Sequence, residues 1–448
     1  MKECEQQGLY DPRNERDACG FGLIAQLDDA PSRALVDSAL VALARMTHRG
    51  GVAADGLSGD GCGLLLKQPD KFLRTLAREA KIALGSQFAA GLVFLPHDEA
   101  LAAQARDTLR AALAEVQLAI AGWRIPPLDS EACGVSARKT MPRIEQVFVT
   151  PLLDVEGARP TPDSFRLGLY LARRRASQRL RDVMDFYIVS LSPDSIGYKG
   201  MVLPERLPQL YPDLQRPELE SSVVVFHQRF STNTSSRWSL AQPFRMLAHN
   251  GEINTIAGNR GWAQARAHTW RSERLDPREF DPVIETDGSD SQSLDAMLEL
   301  LETGGMDALK AMRILIPPAT QSLEYKDADL AAFYEYFALN SEPWDGPAGI
   351  VLFDGRYAAC TLDRNGLRPA RWQLARDRHF MIASEAGVWD VPASEITARG
   401  KLGPGQMIAA DLRDGTLLDS DAIDAINRAR AVQALAAAGH DLSAKRAD

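Results

Sequence analysis

Cys19 heads the run Arg16-Asp17-Ala18-Cys19-Gly20-Phe21-Gly22-Leu23-Ile24-Ala25, an apolar, glycine-spaced stretch near the start of a 448-residue chain. A cut before Cys19 would leave a cysteine with its own base, because a free α-amino group has a pKa of about 8 and can take the thiol proton. A buried core thiol is the other reading of the same residue. Three more segments hold more polar, glycine and turn residues than a core requires. They are His227-Gln228-Arg229-Phe230-Ser231-Thr232-Asn233-Thr234, His249-Asn250-Gly251-Glu252-Ile253-Asn254 and Gly288-Ser289-Asp290-Ser291-Gln292-Ser293-Leu294-Asp295. Supporting stretches of the same character lie at 48–51, 59–63, 342–349 and 362–371. Each has a plainer reading: Asn250-Gly251 as a tight turn, Arg229 as an ion pair at a strand end, Asp290 as the N-cap of a helix beginning at 291. The glycine-bearing loops lack the Gly-Lys-Ser/Thr ending of a phosphate-binding loop. Cys4, Cys62, Cys133 and Cys360 read as non-catalytic thiols, and no CxxC or Cys/His cluster suggests zinc or an iron–sulfur centre.

These residues need a scaffold, and the periodicity supplies one. Residues 19–27 alternate as a strand, and Ser32 can cap a helix over 33–46 with Leu35, Ala39, Val41 and Leu43 as its apolar stripe. Strand patterns follow at 61–66, 89–95, 145–152, 186–192 and 222–228, and helical patterns at 98–117, 163–183, 291–303, 306–314 and 326–338. Short strands return at 348–353, 356–362, 370–374, 379–383 and 406–411, and 421–448 reads as a peripheral alanine-rich helix. Without strict strand–helix alternation, the expectation is mixed or antiparallel sheets covered by helices, in one large domain. A net charge of −9 argues against a general nucleic-acid or membrane-surface binder. No apolar run reaches the roughly 18–20 residues that cross a bilayer, and the polar first 20 residues lack a signal peptide's apolar stretch. The chain reads as cytoplasmic.

Taken in order, the motifs resemble those of the class II glutamine amidotransferases, whose nucleophile is an N-terminal cysteine. The match is most specific to the glutaminase domain of the glutamate synthase large-subunit family, and runs from about residue 9 to residue 415. The resemblance implies Cys19 as thiolate nucleophile with its freed α-amino group as base. It implies Asn250 and the Gly251 backbone N–H as oxyanion hole, Arg229 on the glutamine α-carboxylate and Asp290 on the α-ammonium. Thr232, Asn233 and His227 would support the loop, and 48–50 would line the mouth.

The implied fold is α+β, the four-layer αββα sandwich of N-terminal-nucleophile hydrolases. The implied division is a propeptide over 1–18, the amidotransferase domain over 19–415 and a helical tail over 416–448. The implied activity is hydrolysis of L-glutamine through a cysteine thioester, with ammonia passed to a synthase module that aminates 2-oxoglutarate. The full-length family enzyme uses FMN and an iron–sulfur cluster in later domains, and no motif for either occurs here, so no cofactor is expected in this chain. Expected partners are the central and FMN-binding synthase domains or the small reductase subunit, with no nucleic acid and no membrane. Arg364 and Arg368 could face such a partner. The chain departs from the pattern in beginning at Met1, ahead of Cys19. Two alternatives stay open: a free-standing class II amidotransferase serving another acceptor, and a glutamine-binding regulatory subunit without turnover.

Overall fold

A computed structural model describes residues 19–152, 160–229, 237–320 and 327–437. The expected propeptide, Phe230 to Thr234 with Thr232 and Asn233, Cys4 and the last eleven residues lie outside them. The first half runs β1 (Gly20–Gln26), α1 (Arg33–Ala44), β2 (Ser58–Lys67), α2 (Asp70–Glu79), β3 (Ala89–Leu95), α3 (Glu99–Ala114), β4 (Leu118–Arg124), α4 (Val135–Lys139) and β5 (Arg143–Pro151). Next come α5 (Pro162–Arg179), β6 (Tyr187–Ile188), β7 (Ser195–Val202), α6 (Leu207–Leu210), β8 (Val223–Gln228), β9 (Leu247–Gly251), α7 (Ile256–Arg266) and α8 (Asp290–Thr303). The chain continues with α9 (Ala308–Leu315), α10 (Ala328–Asn340), β10 (Ala348–Phe353), β11 (Tyr357–Leu362), β12 (Arg371–Ala375) and β13 (His379–Ala383). It closes with β14 (Ile396–Lys401), β15 (Met407–Asp411), β16 (Thr416–Leu418) and α11 (Ser420–Ala437).

Two antiparallel sheets form the centre. One has the order β14-β12-β13-β1-β8-β2-β7, the other β16-β15-β11-β10-β9. Alternation along each strand decides which residues meet between them. Phe21, Leu23, Val223, Val225, Phe380 and Ile382 of the first sheet share a core with Ala248, Val351, Cys360, Leu362, Ile408 and Ala410 of the second. The opposite face of the first sheet, with Ile24, Leu64, Val224 and Phe226, buries Leu35 and Val36 of α1 and Phe72 and Leu76 of α2. The opposite face of the second, with Leu247, Ile350 and Ala409, is covered by Leu294 and Leu298 of α8 and Leu309 and Met312 of α9. The layers are therefore helix, sheet, sheet, helix, as the resemblance implied.

The Ser32 hydroxyl accepts the Leu35 N–H at 3.1 Å, so the expected cap is in place. The stripe of α1 differs at three positions: Val36 and Ala42 join it, and Val41 faces solvent. A third sheet, β4-β5-β3-β6, stands beside the sandwich. One of its faces joins the α2 side of the large core through Leu92, Phe94 and Phe148. The other is closed by α3 and α5 around Leu109, Leu113, Phe165 and Leu169. The strand expected over 186–192 shortens to two residues; past it the chain stays beside β3 through the Val189 N–H on the Leu92 carbonyl at 2.9 Å and the isolated bridge Ala90↔Ser192, without a continuous ladder. The end of the chain is less peripheral than its composition suggests. β16 adds to the second sheet, Ile423 and Asn427 of α11 are buried, and Asp424 pairs with the buried Arg313 at 3.0 Å.

Candidate active site

Cys19 precedes β1, and its place follows from the register. Gly20 faces Gln228 across the β1–β8 ladder, so the next pair outward is Cys19 and Arg229. The odd positions of β1 and β8 (Phe21, Leu23, Val223, Val225) point between the sheets, which sends Cys19 and His227 the same way. On β9, Ala248 points between the sheets from the other side, and Asn250 shares its parity. The ends of both sheets therefore deliver Cys19 and Asn250 into one space.

The backbone beyond Asn250 is specialised. Gly251 has φ of 128°, and a Cβ there would lie 1.7 Å from the Pro347 carbonyl oxygen. Only glycine tolerates that approach. β9 is an edge strand with β10 as its neighbour. The His249 N–H donates to Gln242 Oε1 at 2.7 Å and the His249 carbonyl accepts from His227 Nε2 at 3.0 Å, so odd positions of β9 turn their backbone polar groups away from β10. By that alternation the Gly251 N–H also faces away from β10, towards the β8 side.

Arg229 ends β8 with φ of 86°, a left-handed conformation rare outside glycine. Its N–H donates to the Gly61 carbonyl at 2.7 Å, and its guanidinium Nε lies 3.4 Å from Asp60 Oδ2. Asp60 also accepts the Gly51 N–H at 2.7 Å, tying the 48–51 and 59–63 stretches to the arginine. Gly50 packs on Gln228 so closely that a Cβ would fall 1.8 Å from its Nε2. Glu385 holds the preceding turn through His48 and Arg49.

Asp290 is the first residue of α8, but Ser289 is the cap: its hydroxyl accepts the Gln292 N–H at 3.1 Å. The Asp290 carboxylate instead accepts the Ile253 N–H at 2.8 Å through Oδ2 and the Ser291 N–H at 2.8 Å through Oδ1. It thereby fixes the loop that leaves Gly251. Deeper in the same helix, the fully buried Asp295 accepts the Met246 and Leu247 N–H groups at 2.8 and 3.1 Å, anchoring the start of β9.

Electrostatically these residues form one site. Burial pushes the Cys19 thiol up to about 11; Arg229 and Arg368 pull it down and Asp290 pushes it up. Cys360 feels burial alone, and a single arginine, Arg138, opposes burial at Cys133. Burial also drives His227 down to about 3 and lowers His249. Several buried polar atoms here have no hydrogen-bond partner: Gln228 Oε1 and Nε2, His227 Nδ1, His249 Nε2, Asn250 Oδ1 and Arg368 Nε. Such a concentration of unsatisfied polar atoms is costly in a core and marks a place for a polar ligand. Among the described residues no cluster of His, Cys, Asp and Glu could hold a metal ion, and no helix is long and apolar enough to cross a membrane.

Cys19, Arg229 and Asp290 are thus brought together, with Asn250 and Gly251 at the same end of the sandwich. Arg368 and Asp60 were not singled out as site residues in the sequence. Arg368 reads from the sequence as a partner-facing residue, yet its Nε lies 3.2 Å from the Cβ position of Gly251 and it acts on Cys19. Arg364, four residues earlier, does sit outside, paired with Asp345 at 2.5 Å.

Comparison with known proteins agrees with this picture. Residues 19–432 match the family described as glutamine amidotransferases class-II. The chain is 41% identical over 417 residues to ferredoxin-dependent glutamate synthase 2 of Synechocystis sp., covering 90% of this chain and 26% of that one. It is 40% identical over 419 residues to the glutamate synthase (NADPH) large chain of Azospirillum brasilense, covering 91% and 27%. It is 38% identical over 431 residues to glutamate synthase (NADH) of Saccharomyces cerevisiae, covering 93% and 20%. The chain spans about a quarter of the length of the first two. It belongs to the class II glutamine amidotransferase family and is homologous to the amidotransferase region of glutamate synthases.

Proposed function

We propose that this chain hydrolyses the side-chain amide of L-glutamine, with Cys19 as nucleophile and, once the Ala18–Cys19 bond is cut, its own α-amino group as base. The observation that carries the reading is the convergence of Arg229, Arg368 and Asp290 on one buried thiol beside the Asn250-Gly251 strand end. The thiol proton passes to the amine, and Sγ adds to the amide carbon. The developing oxyanion lies against the Asn250 side-chain N–H and the Gly251 N–H; losing one such donor costs about 3–4 kcal/mol of transition-state stabilisation. The amine then gives its proton to the leaving nitrogen, and ammonia departs from a γ-glutamyl thioester. Water, deprotonated by the same amine, releases glutamate and restores the thiol.

Arg229 offers a two-pronged donor to the α-carboxylate. Asp290 keeps lone pairs beyond its two backbone contacts and takes the α-ammonium. The two nearby histidines support an amine base, because burial keeps both neutral and His227 at about 3 is too weak a base at neutral pH. An amine with a pKa of about 8 suits the task.

In the full protein the ammonia would pass to a synthase module that aminates 2-oxoglutarate, in the cytoplasm. FMN, the iron–sulfur cluster and the reductase contacts would belong to parts other than these residues, which bind no cofactor themselves. Residues 1–18 would be the removed propeptide, 19–415 the amidotransferase domain and 416–448 its tail, packed on it through β16 and α11. Assay of the processed protein tests the reading. Cys19→Ser should abolish ammonia release and keep calorimetric binding of glutamine; turnover by that variant would overturn it.

A further inference from the structure

The outer face of the first sheet carries a hollow, on the opposite face from the inter-sheet space that receives Cys19. Its volume is about 450 Å³, within the range of small-ligand sites. The register explains both its shape and its charge. Across the strands, Lys401 of β14 lies directly opposite Arg371 of β12, which lies opposite Ala383 of β13. In the next row on the same face, Arg399 lies opposite Gln373, which lies opposite Met381. The small Ala383 leaves the floor low, and the segment from Glu385 to Trp389 forms a wall. That wall is pinned: Arg45 donates to the Gly387 carbonyl at 3.3 Å and pairs with Asp390, and His48 and Arg49 hold Glu385.

Arg371, Arg399 and Lys401 all line the hollow, and among the described residues none has an ion-pair or side-chain hydrogen-bond partner. Like charges placed directly opposite across a ladder repel. In a chain of net charge −9, in which many other arginines are paired, three clustered unpaired cations stand out. Guarding an exposed edge would account for Arg399 and Lys401, since β14 is the outermost strand. It does not account for Arg371, on an interior strand. The acid in the lining, Glu385, is already paired with Arg49.

We propose that this hollow binds a small polyanion, a pyrophosphate-like or tricarboxylate group, held by Arg371, Arg399 and Lys401 beside Trp389. The site is separate from the thiol site, although Glu385 latches the turn that leads to Gly50 and Gln228. Binding is therefore measured without glutamine, so that its failure leaves the amidotransferase reading untouched.

Titration calorimetry of the full chain with inorganic pyrophosphate and, separately, citrate provides the test, with Trp389 fluorescence as a second signal. Saturable binding is expected for at least one of the two, and the tighter one identifies the phosphate or the carboxylate source. The triple substitution R371Q/R399Q/K401Q should weaken it at least 30-fold, and R371Q alone several-fold. Unchanged Tm and far-ultraviolet circular dichroism would establish that the variants are folded. No saturable binding of either probe up to millimolar concentrations would overturn the proposal. So would binding that survives the triple substitution, or binding confined to a polyglutamate peptide tried as a third probe.

Discussion

Replacing Arg229 by methionine should separate substrate binding from folding. The side chain is 14% exposed, and its Nε lies 3.4 Å from Asp60 Oδ2. Asp60 keeps the Gly51 N–H when the guanidinium is gone, so its carboxylate is not stranded. The backbone at φ of 86° is as strained for methionine as for arginine, so Tm should move little. Binding should change more. Hydrogen bonds to charged partners contribute about 1.5–3 kcal/mol, which at 1.36 kcal/mol per tenfold predicts a KM for glutamine about 13- to 160-fold higher. Arg229 also pulls the Cys19 thiol down, so its removal should raise the midpoint of thiol alkylation above about 11. Steady-state ammonia release gives the first number, and the pH profile of iodoacetamide labelling the second. An unchanged KM in a folded variant would remove Arg229 from the carboxylate role.

Gly251→Ala should lower kcat by roughly 10²–10³-fold, the usual cost of a lost oxyanion donor, because its Cβ would meet the Pro347 carbonyl at 1.7 Å; near-wild-type kcat would mean that the strand end tolerates a shift the structure forbids. Asp295→Ala should cost about 3–5 kcal/mol of stability, measured by urea unfolding, because it strips the acceptor from the Met246 and Leu247 N–H groups at the start of β9 and leaves Arg245 with one buried acid fewer. Burial pushes Glu302 up to about 8 from an unfolded value near 4.5, helped by Asp354. A folded pKa above the unfolded one means that stability falls as pH rises from about 4.5 to about 8. Glu302→Gln should flatten that slope of up to about 1.4 kcal/mol per pH unit, and an equally steep slope in the variant would exonerate Glu302.

The sequence exposed the elements whose burial is one-sided or complete. Val223 to Phe226 reads as a strand because nothing polar interrupts it, and Ser32 announces the helix it caps. It hid β9, since His249-Asn250-Gly251 looks like a turn. That segment is a strand because β10, distant in sequence, pairs with one side of it, while Asp295 and Gln242 satisfy its free edge. β14 was hidden for the opposite reason: Ile396 to Lys401 is an exposed edge with little apolar content. Cys19, Arg229 and Asp290 were legible through motif order. Arg368 was not, because only the close approach of the 362–371 loop to Gly251 brings it to the thiol. Likewise Asp290 looked like a cap until Ser289 was seen to fill that role, which left its carboxylate to hold Ile253.

The central claim is that Cys19 acts as an N-terminal residue whose sulfur carries the glutamyl group. Acid-quenched turnover followed by peptide mass spectrometry tests it most directly. The account predicts a peptide that begins at Cys19 and bears a γ-glutamyl thioester on its sulfur when glutamine is present. Turnover by chains in which the Ala18–Cys19 bond is intact, or a glutamyl adduct on any other residue, would contradict it.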